Sequence, residues 1–569
     1  MNIRELLERA RAEFGDRVFA QKRLPTGVFA RTSYAQLYEM VTRLGAGLAA
    51  LDVGAGTRVA ILGENRVEWA AAYLAVLSGA AVGVPLDPQL KEKELVSILE
   101  QSGSEVAVVA PSFVETFRRL RSHLPKLREV VSMEEGGAGA RGWRETLAVG
   151  DEPARREEFL GRELGLDNLA VLLFTSGTTG RSKAAMLTHR NLGANVSQVW
   201  GCLPYTEADV FLSLLPLHHT FEATAGMLVP ISGGASITYA RSFKSKEIIE
   251  DIRDAGVTMM CGVPLLYEKM LAGIKRAVAD APASTRFMVA LFRALTHAGY
   301  VVAGVNLGRA LFRPLRRKAG LDTIRMFISG AAPLKPEISR DFYYLGLRLL
   351  QGYGLTETSP VASVNPYDHI RFASSGVPIP NVEIRIHEPD ADGVGEVAIR
   401  GDNVMVGYYN NPALTAEVLR GGWFFTGDAG WLDRDGYVYI TGRIKNVIVT
   451  AAGKNIHPEE VEAELDALPV ISEAAVMPMR EPASGREVVG AVIFPDYEYL
   501  EREAERLGEP FDDGFVERQV RAGVGGCCGN LADYKRVKVI KIRKNEFPKT
   551  TTSKIKRYLF RDGEQIGEA

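Results

Sequence analysis

Cysteine is scarce, at four in 569 residues. Cys202 and Cys261 stand alone, and Cys527 and Cys528 are adjacent, without the CxxC spacing of a zinc site. Four thiols cannot staple a chain of this length, so a disulfide scaffold is excluded and a reducing compartment, the cytoplasm, is expected. An excess of one charge is missing too: the net charge is −2, and no global field draws nucleic acid. Residues 1–17 are charged throughout and lack an apolar h-region, so no signal peptide is expected. No apolar run is long enough to span a bilayer. The nearest, 287–307, is interrupted by Arg293 and His297.

What is there is the profile of a globular protein, 46% apolar and 24% charged, long enough for more than one domain. Residues 68–77 read as a buried helix, 80–86 as a short buried strand, and 106–110 repeat that strand signal. Strands spaced by helices predict an α/β protein with largely parallel sheets. From about residue 443 the composition shifts. Pro458 with Glu459 and Glu460 starts a helix, since Pro suits the first turn and carboxylates suit the positive end of the dipole. Residues 537–542 alternate as a half-exposed strand. A large domain over 1–442 and a small α+β domain over 443–569 are therefore expected. Residues 497–528 are charged, then Gly-rich, and read as a surface insertion. No internal repeat occurs.

Residues 276–318 stand apart. They are helix-compatible, with breaks at Pro282 and Pro314, apolar in the middle, and end in Arg309, Arg313, Arg316, Arg317 and Lys318. Two readings stay open: a packed helical insertion with a solvated basic end, or a helix lying on an anionic membrane, giving peripheral contact at its inner face.

The chemistry concentrates in a few short segments. The apolar run 169–174 predicts a buried strand. It opens into Thr175, Ser176, Gly177, Thr178, Thr179, Gly180 and, three residues on, Lys183. Glycines let backbone N–H groups approach an anion, hydroxyls add donors, and the lysine adds a mobile charge. Gly180 and Lys183 are not adjacent, so this is not a Walker loop. Gly352 and Gly354 flank Tyr353, leaving the backbone free to pass a ligand while the ring offers a stacking face. Read alone, that tripeptide is a structural turn. Glu357 read alone is a surface carboxylate, and Asp428 between Gly427 and Gly430 a turn residue. Lys554 sits in a Lys- and Arg-rich stretch, 535–557, whose alternation suits a strand; Phe547 is its only aromatic, and no nucleic-acid partner is expected. His218 and His219 make a pair without a third metal ligand at suitable spacing.

Taken together, these segments resemble, in order, the motifs of the adenylate-forming enzymes: acyl-CoA synthetases, peptide-synthetase adenylation domains and luciferases. The loop at 174–183 resembles their phosphate loop, with Phe174 where Tyr is frequent. Gly330, Ala331, Ala332 and Pro333 resemble the adenine-side motif, and Gln351, Gly352, Tyr353, Gly354 and Thr356 with Glu357 the aromatic–acidic motif. Asp428 resembles the ribose residue, and Ile440 and Arg443 precede the hinge, Lys445. Lys554 closes the series, with Ser553 where the family usually has Gly.

The resemblance implies a fold of stacked αβ subdomains with a small mobile C-terminal domain. It implies that Tyr353 covers adenine, that Asp428 holds the ribose hydroxyls, and that Glu357 and Thr178 bind Mg²⁺. Lys183, Thr356, Glu357 and Lys554 are the implied catalytic residues, and His219, Gly330 and Ala331 the implied acyl contacts. Gly453 and Lys454 would meet CoA once the small domain turns about Lys445. His219 is otherwise a pocket wall or a core histidine. The implied activity is that of a long-chain fatty acyl-CoA synthetase: a carboxylic acid, ATP and CoA as small-molecule substrates, with acyl-adenylate as intermediate. Aryl or medium-chain acids, an acyl carrier protein as acceptor, a luciferase-type oxidation and an inactive ATP-binding protein are the rivals. The intact Lys183, Glu357, Asp428, Arg443 and Lys554 argue against the last.

Overall fold

The computed structural model describes residues 1–137, 139–175, 182–449, 455–482, 485–528, 531–549 and 555–565; at 449, 455, 528, 558 and 561 it describes the backbone alone. Two largely parallel sheets dominate. Strands Val82–Leu86 and Val106–Val109 are buried along their whole length. This is the continuous apolar run that a parallel sheet covered on both faces demands. Helix Val67–Ser78 is buried on nearly every side, as a helix apolar all round must be. Among the described residues, these strands belong to a seven-stranded sheet. In it Leu169–Thr175 pairs in parallel with Val82–Leu86 and antiparallel with Lys183–Thr188.

A nine-stranded sheet lies beside it in the same core. Its centre is parallel: Ser236–Tyr239, Val210–Ser213, Met259–Gly262, Met326–Ser329 and Arg348–Gly354 follow one another in space. The C-terminal ends of such strands are where α/β proteins place ligands. Here those ends lead into the segments 330–333 and 351–357.

A third sheet, antiparallel, is five-stranded among the described residues. Strand Trp423–Leu432 pairs with Gly395–Gly401 on one side and Val438–Arg443 on the other. That register sets Asp428 directly opposite Arg443.

A second hydrophobic core gathers Ile448, Val461, Leu465, Val476, Ala491 and Ile493 with Leu500, Phe515, Val520 and Val524. It lies on the sheet of Ile471–Arg480, Glu487–Pro495 and Val539–Ile542. The expectation for 497–528 is corrected here. Helices Tyr497–Leu507 and Asp513–Cys528 send Leu500, Ala504, Phe515, Val516, Val520 and Val524 into this core. Their apolar residues recur at helical spacing, so a charged composition concealed one buried stripe. Asn446 Nδ2 donates to Glu459 Oε1 at 3.0 Å, and Lys335 Nζ to the Asp466 carbonyl at 3.3 Å.

Candidate functional site

Two polar clusters form at the ends of these strands. In the first, Lys183 opens the strand after the phosphate-loop segment, opposite Thr175 in the hairpin register. Its Nζ lies 2.9 Å from Glu357 Oε1, across 174 residues of sequence. Tyr408 completes the cluster: its hydroxyl donates to the same Glu357 oxygen at 2.7 Å and accepts from Lys183. The lysine nitrogen also sits 4.3 Å from the Tyr408 ring centroid, within cation–π range. Glu357 is only 6% exposed. Burial pushes its carboxyl up, but the charge of Lys183 and hydrogen bonds from Lys183 and Tyr408 more than offset it and hold the group below its usual range. Glu357 is thus an ionised, buried carboxylate with one cation beside it.

In the second cluster Tyr353 donates from its hydroxyl to Asp428 Oδ2 at 2.6 Å, and Arg443 Nε lies 2.6 Å from Asp428 Oδ1. Tyr353 stays protonated, because burial and the Asp428 charge both raise its phenol far above the ordinary value. The pairing of Asp428 with Arg443 and the side-chain hydrogen bond from Tyr353 on strand Arg348–Gly354 therefore bring these three residues together. Ile440 lies on the same strand as Arg443, paired with Gly430.

Gly354 is required by the chain itself: a Cβ there would lie 1.9 Å from the Pro360 carbonyl oxygen. Gly352 is milder, with the Ser363 carbonyl oxygen at 3.2 Å. Gln351 is buried and donates to Ser375 Oγ at 3.4 Å, while its Oε1 has no partner among the described residues. Gly330 donates to the Gly262 carbonyl at 3.2 Å. Its missing side chain leaves room for the Phe221 ring, 3.1 Å from where a Cβ would sit. Ala331 follows at φ +68°, a left-handed conformation that a residue with a Cβ adopts only where its surroundings hold it. Ala332 and Pro333 continue the turn. His219 is half-buried with its ring 4.1 Å from that of His218. Burial and His219 together push the His218 imidazole well below its usual value, so it is neutral.

A sequence profile of the AMP-binding enzyme family matches residues 7–409. The chain belongs to that family. A feruloyl-CoA synthase of Amycolatopsis is 31% identical over 81% of this chain and 83% of its own length. A long-chain-fatty-acid–CoA ligase of Mycobacterium bovis is 30% identical over 84% of this chain and 80% of its own. The crystal structure of ATP-bound MatB from Rhodopseudomonas palustris superposes with a TM-score of 0.76 at 28% identity, covering 98% of both chains.

For an AMP-binding enzyme the cation site is open to a fit test. Among the described residues no group of three or more His, Cys, Asp or Glu could hold a metal. Mg²⁺ does not need one, since it takes one or two carboxylates and completes its shell with phosphate oxygens and water. The single ionised carboxylate of Glu357 fits that demand.

The structure thus brings together Lys183, Tyr353, Glu357, Asp428 and Arg443 in two clusters, and Thr356 opens the short 3₁₀ turn Thr356–Thr358 that carries Glu357. Ser176, Gly177, Thr178, Thr179 and Gly180, the CoA candidates Gly453 and Lys454, and Lys554 lie outside the described residues. Lys445 sits in the short 3₁₀ turn Ile444–Asn446. Two residues escape a reading of the sequence. Tyr408 lies in a Gly-Tyr-Tyr-Asn-Asn-Pro stretch with the composition of an ordinary turn. Glu222 is a lone charge inside the apolar stretch 221–231, and that incongruity was the available signal. It is fully buried in the π-helical segment Phe221–Leu228. Gly226 makes the space, since a Cβ there would lie 2.6 Å from the Glu222 carboxyl. Burial pushes that carboxyl up to about 8, against the Ser213 hydroxyl.

Proposed function

We propose that the protein activates a long-chain fatty acid with ATP and transfers the acyl group to CoA. In the first half-reaction a carboxylate oxygen attacks the α-phosphorus, the bond to the β-phosphate bridge breaks, and pyrophosphate leaves. In the second, the CoA thiolate attacks the acyl carbon and AMP leaves. The observation that carries this reading is the pair of clusters. A buried carboxylate bound to a lysine suits a triphosphate with its cation, and a tyrosine–aspartate–arginine relay suits a nucleoside.

The roles follow from the groups present. Tyr353 offers its ring to adenine, and Asp428, fixed by Tyr353 and Arg443, presents acceptor oxygens to the ribose. Lys183 places positive charge beside the phosphates. Mg²⁺, held by Glu357 with Thr178, would supply charge neutralisation on the triphosphate. Lys554 would meet the attacking carboxylate and the α-phosphate, where electrostatic stabilisation is worth most. The divide falls at 442/443, with Lys445 as the hinge about which the small domain turns to bring Gly453 and Lys454 to the thiol. His219, Gly330 and Ala331 line the carboxyl end of the acyl pocket. The likeness to the mycobacterial ligase and the insertion at 276–318 support a long-chain acid; the likeness to the feruloyl-CoA synthase makes an aryl acid the competing substrate. The free thiols of Cys202 and Cys261 support a cytoplasmic location.

The test is pyrophosphate release with Mg·ATP across acids from acetate to oleate, with benzoate and ferulate, each with CoA, acyl carrier protein or neither. Release peaking with long acyl chains and turning over with CoA is expected. A peak with ferulate or benzoate overturns the long-chain assignment, and turnover with carrier protein alone overturns the acceptor. Lys554→Ala should slow adenylate formation by about 10²-fold or more yet spare thioester formation from supplied acyl-adenylate; equal loss in both steps refutes its role.

A further inference from the structure

Helix Ala283–Ala303 is apolar on two sides, and the protein covers only one. Thr296 is buried in it, Phe292 meets the Phe312 ring at 5.8 Å, and Tyr300 meets the Tyr343 ring at 5.2 Å. The opposite side carries Phe287, Met288, Leu291, Leu295 and Val302, and Val302 is 85% exposed. Val305 and Leu307 extend this surface beyond the helix end. A helix apolar all round is buried in a globular protein, and an exposed patch of this kind marks a contact surface.

The charge around the patch says what covers it. Residues 276–318 hold eight Arg and Lys and a single acid, Asp280, in a chain whose net charge is −2. Arg293 is neutralised by Asp341. Arg276, Arg286, Arg309, Arg313, Arg317 and Lys318 are exposed. Arg313, Pro314, Arg317 and Lys318 line one open groove. Asp322 lies 3.9 Å from Arg313 and 4.0 Å from Arg317, too far for a tight pair. No helix of the described residues is long and apolar enough to cross a membrane. An apolar face rimmed by exposed, loosely paired arginines, on a helix that cannot span, has the character of an interfacial element.

We propose that the outer face of helix Ala283–Ala303, together with the basic groove of Arg313, Arg317 and Lys318, docks this protein on an anionic lipid bilayer. Phe287, Leu291, Leu295 and Val302 enter the headgroup–acyl boundary, and the groove takes lipid phosphate. The inference stands apart from the identity of the acid, because docking is measured without substrate.

The experiment is co-sedimentation of the full chain with vesicles of phosphatidylcholine alone or with 30% phosphatidylglycerol, at low and high salt. Binding is expected to the anionic vesicles and to weaken with salt. Each basic residue near an anionic surface contributes about fivefold in partitioning, so Arg313→Gln/Arg317→Gln/Lys318→Gln should lower binding roughly a hundredfold. Phe287→Ser/Val302→Ser should lower it at unchanged charge. All five side chains are exposed, so thermal melts should match the parent; a pair that melts early is replaced by Leu291→Ser/Leu295→Ser. Binding equal to the parent in both variants overturns the proposal, as does no binding to anionic vesicles at low salt. Concentration-dependent self-association lost in Phe287→Ser/Val302→Ser, without vesicle binding, assigns the face to a second copy of the chain and overturns it too.

Discussion

Replacing Tyr408 by phenylalanine removes one oxygen and leaves the ring, the packing and the cation–π contact with Lys183 in place. The lost group is the hydroxyl that donates to Glu357 at 2.7 Å and accepts from Lys183. Hydrogen bonds to charged groups contribute about 1.5–3 kcal/mol, and a buried carboxylate has no water to replace the donor. Tyr408→Phe should therefore cost about 1.5–3 kcal/mol at pH 7. Urea titration should show a lower midpoint at unchanged slope. The pH dependence fixes the cause. Glu357 is held below its unfolded value, so its stabilisation is present above that value and is lost as pH falls through the folded one. Removing a donor to the ionised form raises the folded value, so the gap between parent and variant should narrow as pH falls. A double-mutant cycle with Glu357→Gln should show coupling between the two positions. A cost under about 0.5 kcal/mol, or a gap that does not change with pH, refutes the reasoning.

Three further outcomes are expected. Asp428→Asn deprives Tyr353 and Arg443 of their shared carboxylate, so the KM for ATP should rise about 10- to 100-fold; an unchanged KM would detach Asp428 from the nucleotide. Gly354→Ala forces a Cβ to 1.9 Å from the Pro360 oxygen, and unfolding should be easier by about 1–3 kcal/mol or more; a neutral melt would mean the turn relaxes freely. Glu222, raised to about 8, contributes stability that is present below the unfolded carboxyl value and is lost as pH rises toward 8. Glu462 and Asp466, raised to about 7 and about 6, also cost stability as pH rises, so parent stability should fall more steeply from pH 6 to 8 than that of Glu222→Gln, by a difference on the order of a few kcal/mol; parallel pH profiles would exclude an ionising Glu222.

Local pattern alone determined much of this protein. The short apolar runs at 80–86, 106–110 and 169–174 read as buried strands and the run at 68–77 as a buried helix, and the structure has strands Val82–Leu86, Val106–Val109 and Leu169–Thr175 and helix Val67–Ser78 there. Lys183 stood out by the Gly- and hydroxyl-rich segment before it, whereas Tyr353, Glu357 and Asp428, read alone as turn residues and a surface carboxylate, became candidates only through the family resemblance. Tertiary structure decided which of them meet. Lys183, Glu357 and Tyr408 are separated by 174 and 51 residues, and only the stacking of two sheets sets them around one oxygen. Tyr408 has no local signature, since a tyrosine in a turn reads the same whether its hydroxyl faces water or a buried carboxylate. The helices of 497–528 and 283–303 show the same limit from opposite sides. The charged composition of 497–528 is that of a solvated segment, yet a neighbouring sheet covers its apolar stripe. Helix 283–303 has the apolar content of a core helix, yet the protein covers only one of its faces. Periodicity states which face of an element is apolar; what lies against that face depends on chain topology, and this the sequence does not carry locally.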